Sequence, residues 1–125
     1  MAINDGLWHH LCLTWENLNG DWVFYKDGKP VKFGSKLKRG HVIPKDGIVV
    51  LGQEQDAPGG KFNKKEAFPG SLAQVNMWDR VFSAKEISQF ASSCNMGGEG
   101  NALSWQDVLK SLRNGIVKEN VASCS

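Results

Sequence analysis

The chain has little of what several large protein classes require. No window approaches eighteen consecutive apolar residues, which excludes a membrane-spanning helix. Charge of one sign is scarce: 15 Lys and Arg against 13 Asp and Glu leave a net +2. That excess is too small for a dedicated nucleic-acid binder or a polybasic membrane anchor. Cysteines number only three, and an odd count leaves one without an intrachain partner. No Asn-x-Ser/Thr acceptor occurs, so glycosylation gives no guide to compartment. Met1-Ala2 runs directly into Ile3-Asn4-Asp5-Gly6 with no apolar leader. Taken alone this reads as cytoplasmic, or as a piece of a longer chain whose leader lies elsewhere. Neither a nucleophile-elbow pattern nor a Cys–His pattern is present, so covalent catalysis has no support. What is there is 41% hydrophobic residues, enough apolar surface to offset ordering entropy, which excludes disorder. The 125 residues are the length of one domain. Fourteen Gly and four Pro between short apolar runs point to many turns and an all-β plan.

Leu11-Cys12-Leu13-Thr14-Trp15 and Trp22-Val23-Phe24-Tyr25 are compact apolar runs with the turn signal Asn19-Gly20 between them. Asp27-Gly28 closes a second hairpin onto Lys29-Pro30-Val31-Lys32-Phe33, since a type I′ turn needs positive φ at both central positions. The result is an antiparallel meander. Residues 34–46 read as a polar, basic surface crossing, and Gly47-Ile48-Val49-Val50-Leu51-Gly52 as a buried strand by its β-branched content. Ser71 to Trp78 alternates with period two, Ala73, Val75 and Met77 sharing one face, which predicts a half-buried strand. Ser83-Ala84-Lys85-Glu86 is a capping box that starts a short helix with Ile87 and Phe90 facing inward. Trp105, Val108, Leu109 and Leu112 fall at helical spacing after Ser104 and suggest a second short helix.

The loop from Gln53 to Glu66 carries the densest chemistry. Glu54 and Asp56 fall on one side of extended backbone because the side-chain period is two. Ca²⁺ takes six to eight oxygens from carboxylates, amides and carbonyls. Glu54, Asp56, Glu66, the Asn63 amide and the Gln55 carbonyl supply most of such a set, and Gly59-Gly60 lets the loop fold back. The plain alternative is a solvated surface loop, with the acids set beside Lys61, Lys64 and Lys65. The Glu-x-Asp pair also suits a glycosidase, whose acid and nucleophile flank the scissile bond. A further carboxylate two to three positions on is usual there, and Pro58 and Gly59 stand in its place. His9 and His10 are adjacent, so on a strand they point to opposite faces and do not chelate one ion easily. One polar and one packed histidine is the expectation.

Trp8-His9-His10-Leu11-Cys12-Leu13-Thr14-Trp15, followed by Asp27-Gly28-Lys29, resembles the pentraxin family. The resemblance becomes specific at Leu51-Gly52-Gln53-Glu54-Gln55-Asp56, at Gly59-Gly60-Lys61-Phe62, at Phe68-Pro69-Gly70 and at Asn76-Met77-Trp78-Asp79. It covers roughly residues 5 to 110. The ending, Asn101-Ala102-Leu103-Ser104-Trp105 with Cys94 answered by Cys124, is similar to pentraxin modules of long or polydom-type mosaic extracellular proteins. The resemblance implies a flattened jelly roll with a helix on one face and a Ca²⁺-dependent ligand site on the other. It also implies secretion, cyclic homo-oligomers and recognition of phosphocholine, phosphoethanolamine or anionic carbohydrate. Carried over by position, Glu54, the Gln55 backbone carbonyl and Asp56 match calcium ligands. Asn63 stands where the family usually has an acid and Glu66 where it usually has Gln, so three carboxylates still face the metal. The resemblance further implies a Cys94–Cys124 disulfide. The family's domain begins well before the Trp-His motif, and that earlier part carries an Asp-Asn calcium pair, a hydrophobic ligand pocket and the usual partner of Cys12. Cys12 is therefore expected as a free thiol.

The expectation is an all-β antiparallel jelly-roll sandwich of the concanavalin/laminin-G kind, with one short helix and its N-terminal strands missing. Residues 1–125 form one partial pentraxin-like domain. The function is a non-enzymatic, Ca²⁺-dependent extracellular binding module for pattern recognition or adhesion. Its partners are a phosphocholine-like or anionic carbohydrate ligand or an extracellular protein, with neither nucleic acid nor membrane insertion. The alternatives are a structural laminin-G-like adhesion or oligomerisation module without a functional metal site, and a glycoside hydrolase on the same sandwich.

Overall fold

A computed structural model describes residues 2–93, 98–113 and 115–119. Two compact units are present, one formed by the residues up to His41 together with those from Gln74 onward, the other by Val42–Ala73.

The first unit contains the meander. Strands β1 (Leu11–Trp15), β2 (Trp22–Lys26) and β3 (Lys29–Gly34) pair antiparallel in the order β1-β2-β3. Asp27 (φ 51°) and Gly28 (φ 81°) take the two positive-φ positions between β2 and β3, as the Asp-Gly pair predicts. The β1–β2 connection is organised by Glu16, whose carboxylate accepts from the amides of Leu18 (2.8 Å), Asn19 (3.0 Å) and Asp21 (2.9 Å). Gly20 in this connection has φ 71°, and a Cβ there would meet the Leu37 backbone nitrogen at 2.5 Å, so only glycine fits. A register shift between Phe24 and Tyr25 leaves Val31 as an extra residue on β3.

Alternation along the strands sends Cys12, Val23 and Tyr25 to one face, where they pack with Trp78, Phe82, Ile87 and Phe90. Helix α1 (Ala84–Ser92) supplies Ile87, which is fully buried. Its start is the expected capping box: Ser83 Oγ accepts from the Glu86 amide at 3.2 Å, and the Ser83 amide donates to Glu86 Oε1 at 3.1 Å. Phe82 meets Trp78 and Phe90 edge-on at centroid distances of 4.9 and 4.8 Å, a geometry that the ring quadrupoles favour. On the opposite face of the sheet, Leu11 and Leu13 are exposed. Helix α2 (Trp105–Lys110) begins where the spacing predicts, capped by Ser104 Oγ accepting from the Asp107 amide at 3.1 Å. Leu112 lies beyond its end.

Two expected strands differ from the sequence reading. Among the described residues, neither Gly47–Gly52 nor Ser71–Trp78 carries a ladder; the latter contributes one isolated bridge, Met77 to Leu103. Ile48, Val49, Leu72 and Met77 are exposed. The physical reason is that β-branched and alternating residues mark a surface suited to a sheet, while a strand exists only where a neighbour pairs with it. Among the described residues, neither segment pairs into the β1-β2-β3 sheet.

Candidate functional site

The loop with the candidate ligands lies wholly within the Val42–Ala73 unit. Along Gln53–Pro58 exposure alternates: Glu54 and Asp56 face solvent and Gln55 is half-buried, as the period-two reading predicts. Gln55 braces the loop with its side chain. Its Nε2 donates to the Ile48 carbonyl at 2.8 Å, and its Oε1 accepts from the Gly59 amide at 2.7 Å. One amide therefore ties the segment before the acids to the glycine turn after them. Gly59 has φ 67°, and a bond from the Gly60 amide to the Ala57 carbonyl (2.9 Å) tightens the turn. The Phe68 amide donates to the Gly52 carbonyl at 2.8 Å and brings the far end of the loop back to its start. Asp46, Gln55 and Asp56 line one shallow cleft.

Asn63 caps a single 3₁₀ turn, Lys64–Glu66. Its Oδ1 accepts from the Lys65 amide at 3.0 Å, and its carbonyl accepts from the Glu66 amide at 3.0 Å. An amide oxygen has two lone pairs, so Asn63 Oδ1 keeps one for another partner. Glu66 is exposed. Among the described residues, no three His, Cys, Asp or Glu side chains stand close enough to hold a metal ion, so the structure does not gather Glu54, Asp56 and Glu66 around one point. The donor set nevertheless fits Ca²⁺ in kind. Glu54, Asp56 and Glu66 carboxylates, the Asn63 amide oxygen and the Gln55 carbonyl are all hard oxygens, the ligands this cation takes.

Cys94 and Cys124 lie outside the described residues. Cys12 is the one described cysteine, a half-buried free thiol whose burial pushes its pKa up. The two histidines do not divide into one at a polar edge and one packed, since both are half-buried. His10 is half-buried, and burial pulls its pKa down, whereas His9 sits between Asp5 and Asp27. The pairing of His9 with these acids and the brace made by the Gln55 side chain were not anticipated. The available signals were Asp5 four residues before His9, and a glutamine flanked by two outward acids.

The Pentaxin family model matches residues 2–119. The chain is 40% identical over 124 residues to neuronal pentraxin-2 from Cavia porcellus, covering 99% of this chain and 29% of that protein. It is 43% identical over 123 residues to the sushi, von Willebrand factor type A, EGF and pentraxin domain-containing protein 1 of Mus musculus, covering 98% of this chain and 3% of that protein. Among solved structures it is similar to the native heptameric SAP-like pentraxin from Limulus polyphemus, with a TM-score of 0.76 and 35% identity over 86% of this chain and 49% of that one. The chain belongs to the pentraxin family. It spans under a third of the curated relatives it matches. No helix among the described residues is long and apolar enough to cross a membrane.

Proposed function

We propose that the chain is a calcium-dependent extracellular ligand-binding module of pentraxin type. The observation that carries this reading is the family match over residues 2–119, joined to an oxygen-donor loop already braced by Gln55. Glu54, the Gln55 carbonyl, Asp56, Asn63 and Glu66 would hold the ion, and Asn63 and Glu66 together keep the carboxylate count at three. Bound there, Ca²⁺ supplies a positive, oxygen-seeking centre for the phosphate of a phosphocholine-like ligand or the anionic groups of a carbohydrate. The chain's own residues orient: Gln55 fixes the backbone between Glu54 and Asp56, and the glycine turn lets the two halves of the loop approach. Three carboxylates around one point repel until a cation neutralises them, so the loop orders on binding.

Family membership supports a binding role without catalysis, secretion, and assembly into homo-oligomers like the heptamer named for the Limulus relative. Likeness to that structure supports a jelly-roll sandwich in which β1–β3 form part of one layer. The face bearing Leu11 and Leu13 is the one a second layer would cover. The structural adhesion module without a functional metal site is the second reading, favoured by the failure of three acids to converge among the described residues.

Calcium titration separates the two. An ion that binds the folded loop raises the thermal midpoint by mass action. With few ligands in an open loop, the dissociation constant is expected at the weak end, on the order of 10⁻⁴–10⁻³ M. Asp56→Asn abolishes the calcium-dependent rise and leaves the calcium-free midpoint unchanged or slightly higher. No rise in the unmodified chain at millimolar calcium overturns the metal reading and leaves the adhesion module.

A further inference from the structure

The approach to β1 is pinned by one imidazole held between two carboxylates. His9 Nδ1 stands 2.9 Å from Asp27 Oδ2, and His9 Nε2 stands 2.9 Å from Asp5 Oδ1 and 3.0 Å from Asp5 Oδ2. The His9 side chain is only 13% exposed, while the carboxylates reach solvent. A neutral imidazole has one N–H and one lone pair, and an ionised carboxylate only accepts. Neutral His9 therefore serves one acid and turns a lone pair on the other. Only the imidazolium donates to both. We propose that His9 is a protonation-dependent latch: as imidazolium it ties the segment around Asp5 to the β2–β3 turn, and it releases that segment when the proton leaves.

The turn it grips is already crowded. Asp27 Oδ1 accepts from the His10 amide at 2.9 Å, and the Asp27 amide donates to the His10 carbonyl at 2.8 Å. A Cβ at Gly28 would meet Ala91 Cβ at 3.1 Å and Ser88 Cα at 3.2 Å, so α1 presses on the turn from the side of the core. The latch thus couples the chain before β1 to the hairpin that α1 packs against. The charged and titratable groups bearing on the cluster are Asp5, Asp27, Lys26 and His10. Lys26 favours ionised Asp27 and donates to the Ala2 carbonyl at 2.7 Å, adding a tie that does not depend on His9. Burial favours neutral His10, so it does not compete for the acids.

The bond to Asp27, then that to Asp5, holds His9 above the ordinary histidine range. A group whose folded pKa is raised contributes stability that is complete below its unfolded value, about 6.5, and is lost as pH rises through the folded one. On the acid side, the His9 bond foremost lowers Asp27, and the Leu7 amide, then His9, lowers Asp5. Lowered carboxylates contribute stability that is lost as pH falls through their folded values. The latch is closed between these limits and open in alkaline solution.

The test follows the His9 ring nitrogens by NMR through a pH titration and, in parallel, the exchange protection of the His10 amide. In the unmodified chain His9 is expected to titrate above the ordinary histidine value, and His10 amide protection to fall through the same midpoint. Asp5→Asn puts an amide donor where an acceptor stood, so neutral His9 satisfies both neighbours. Its midpoint moves down, and His10 protection no longer follows His9. His9→Gln, which takes no proton, shows the low alkaline protection at every pH. An unshifted His9 midpoint, the same midpoint in Asp5→Asn, or His10 protection indifferent to His9 ionisation overturns the latch.

Discussion

Around Ile87 the chain excludes solvent completely, whereas between Val42 and Ala73 no side chain is buried. The meander unit is held by packing: Tyr25, Phe82 and Ile87 form its centre, and Trp78 and Phe90 close it. The loop unit is held by polar ties, chiefly the Gln55 amide, the Gly60–Ala57 turn bond and the Phe68–Gly52 bond. Burial of one side chain of this size is worth roughly 1.5–3 kcal/mol. A single exposed hydrogen bond contributes far less, because water competes for both partners. The candidate site therefore stands on the weaker scaffold, where an ion bound as proposed would have the most ordering left to do.

Substitutions test that contrast, beginning with the core. Ile87→Ala opens a cavity beneath the sheet and is expected to cost about 3 kcal/mol, seen as a lower urea midpoint in denaturation followed by tryptophan fluorescence. Ser83→Ala removes the α1 cap and should cost about 1 kcal/mol in the same measurement. Gln55→Leu breaks both of the bonds that brace the loop, yet should leave the global midpoint nearly in place. Its effect appears instead as faster exchange at the Gly59 amide and weaker calcium response. A large global loss from Gln55→Leu would show that the loop unit carries more of the stability than its burial indicates. Smallest of all is Lys64→Ala, an exposed change in the 3₁₀ turn expected to alter neither midpoint nor calcium response.

Legibility in the sequence divides along the range of the interactions. The Asp27-Gly28 turn and the Ser83–Glu86 capping box were readable because their partners lie within a few residues. The outward alternation of Glu54 and Asp56 was readable for the same reason. Gly47–Gly52 and Ser71–Trp78 were misread as strands because their composition reports suitability for a sheet and says nothing of a pairing neighbour. Gln55 was read for its carbonyl, and its side chain does the bracing, since the Ile48 carbonyl comes near only once the loop is formed. The sharing of His9 by two acids was not legible because Asp27, one of its two partners, is 18 residues away.

The sequence by itself determined the meander, the caps and the chemical kind of every candidate ligand, all of which follow from residue type and local spacing, and its motifs carried the resemblance to the family. Only the tertiary structure decided that Gln55 braces the loop of candidate ligands, that the three acids stay apart among the described residues, and that His9 is shared by two carboxylates. These outcomes rest on distances between groups remote in the chain, which local propensity does not encode.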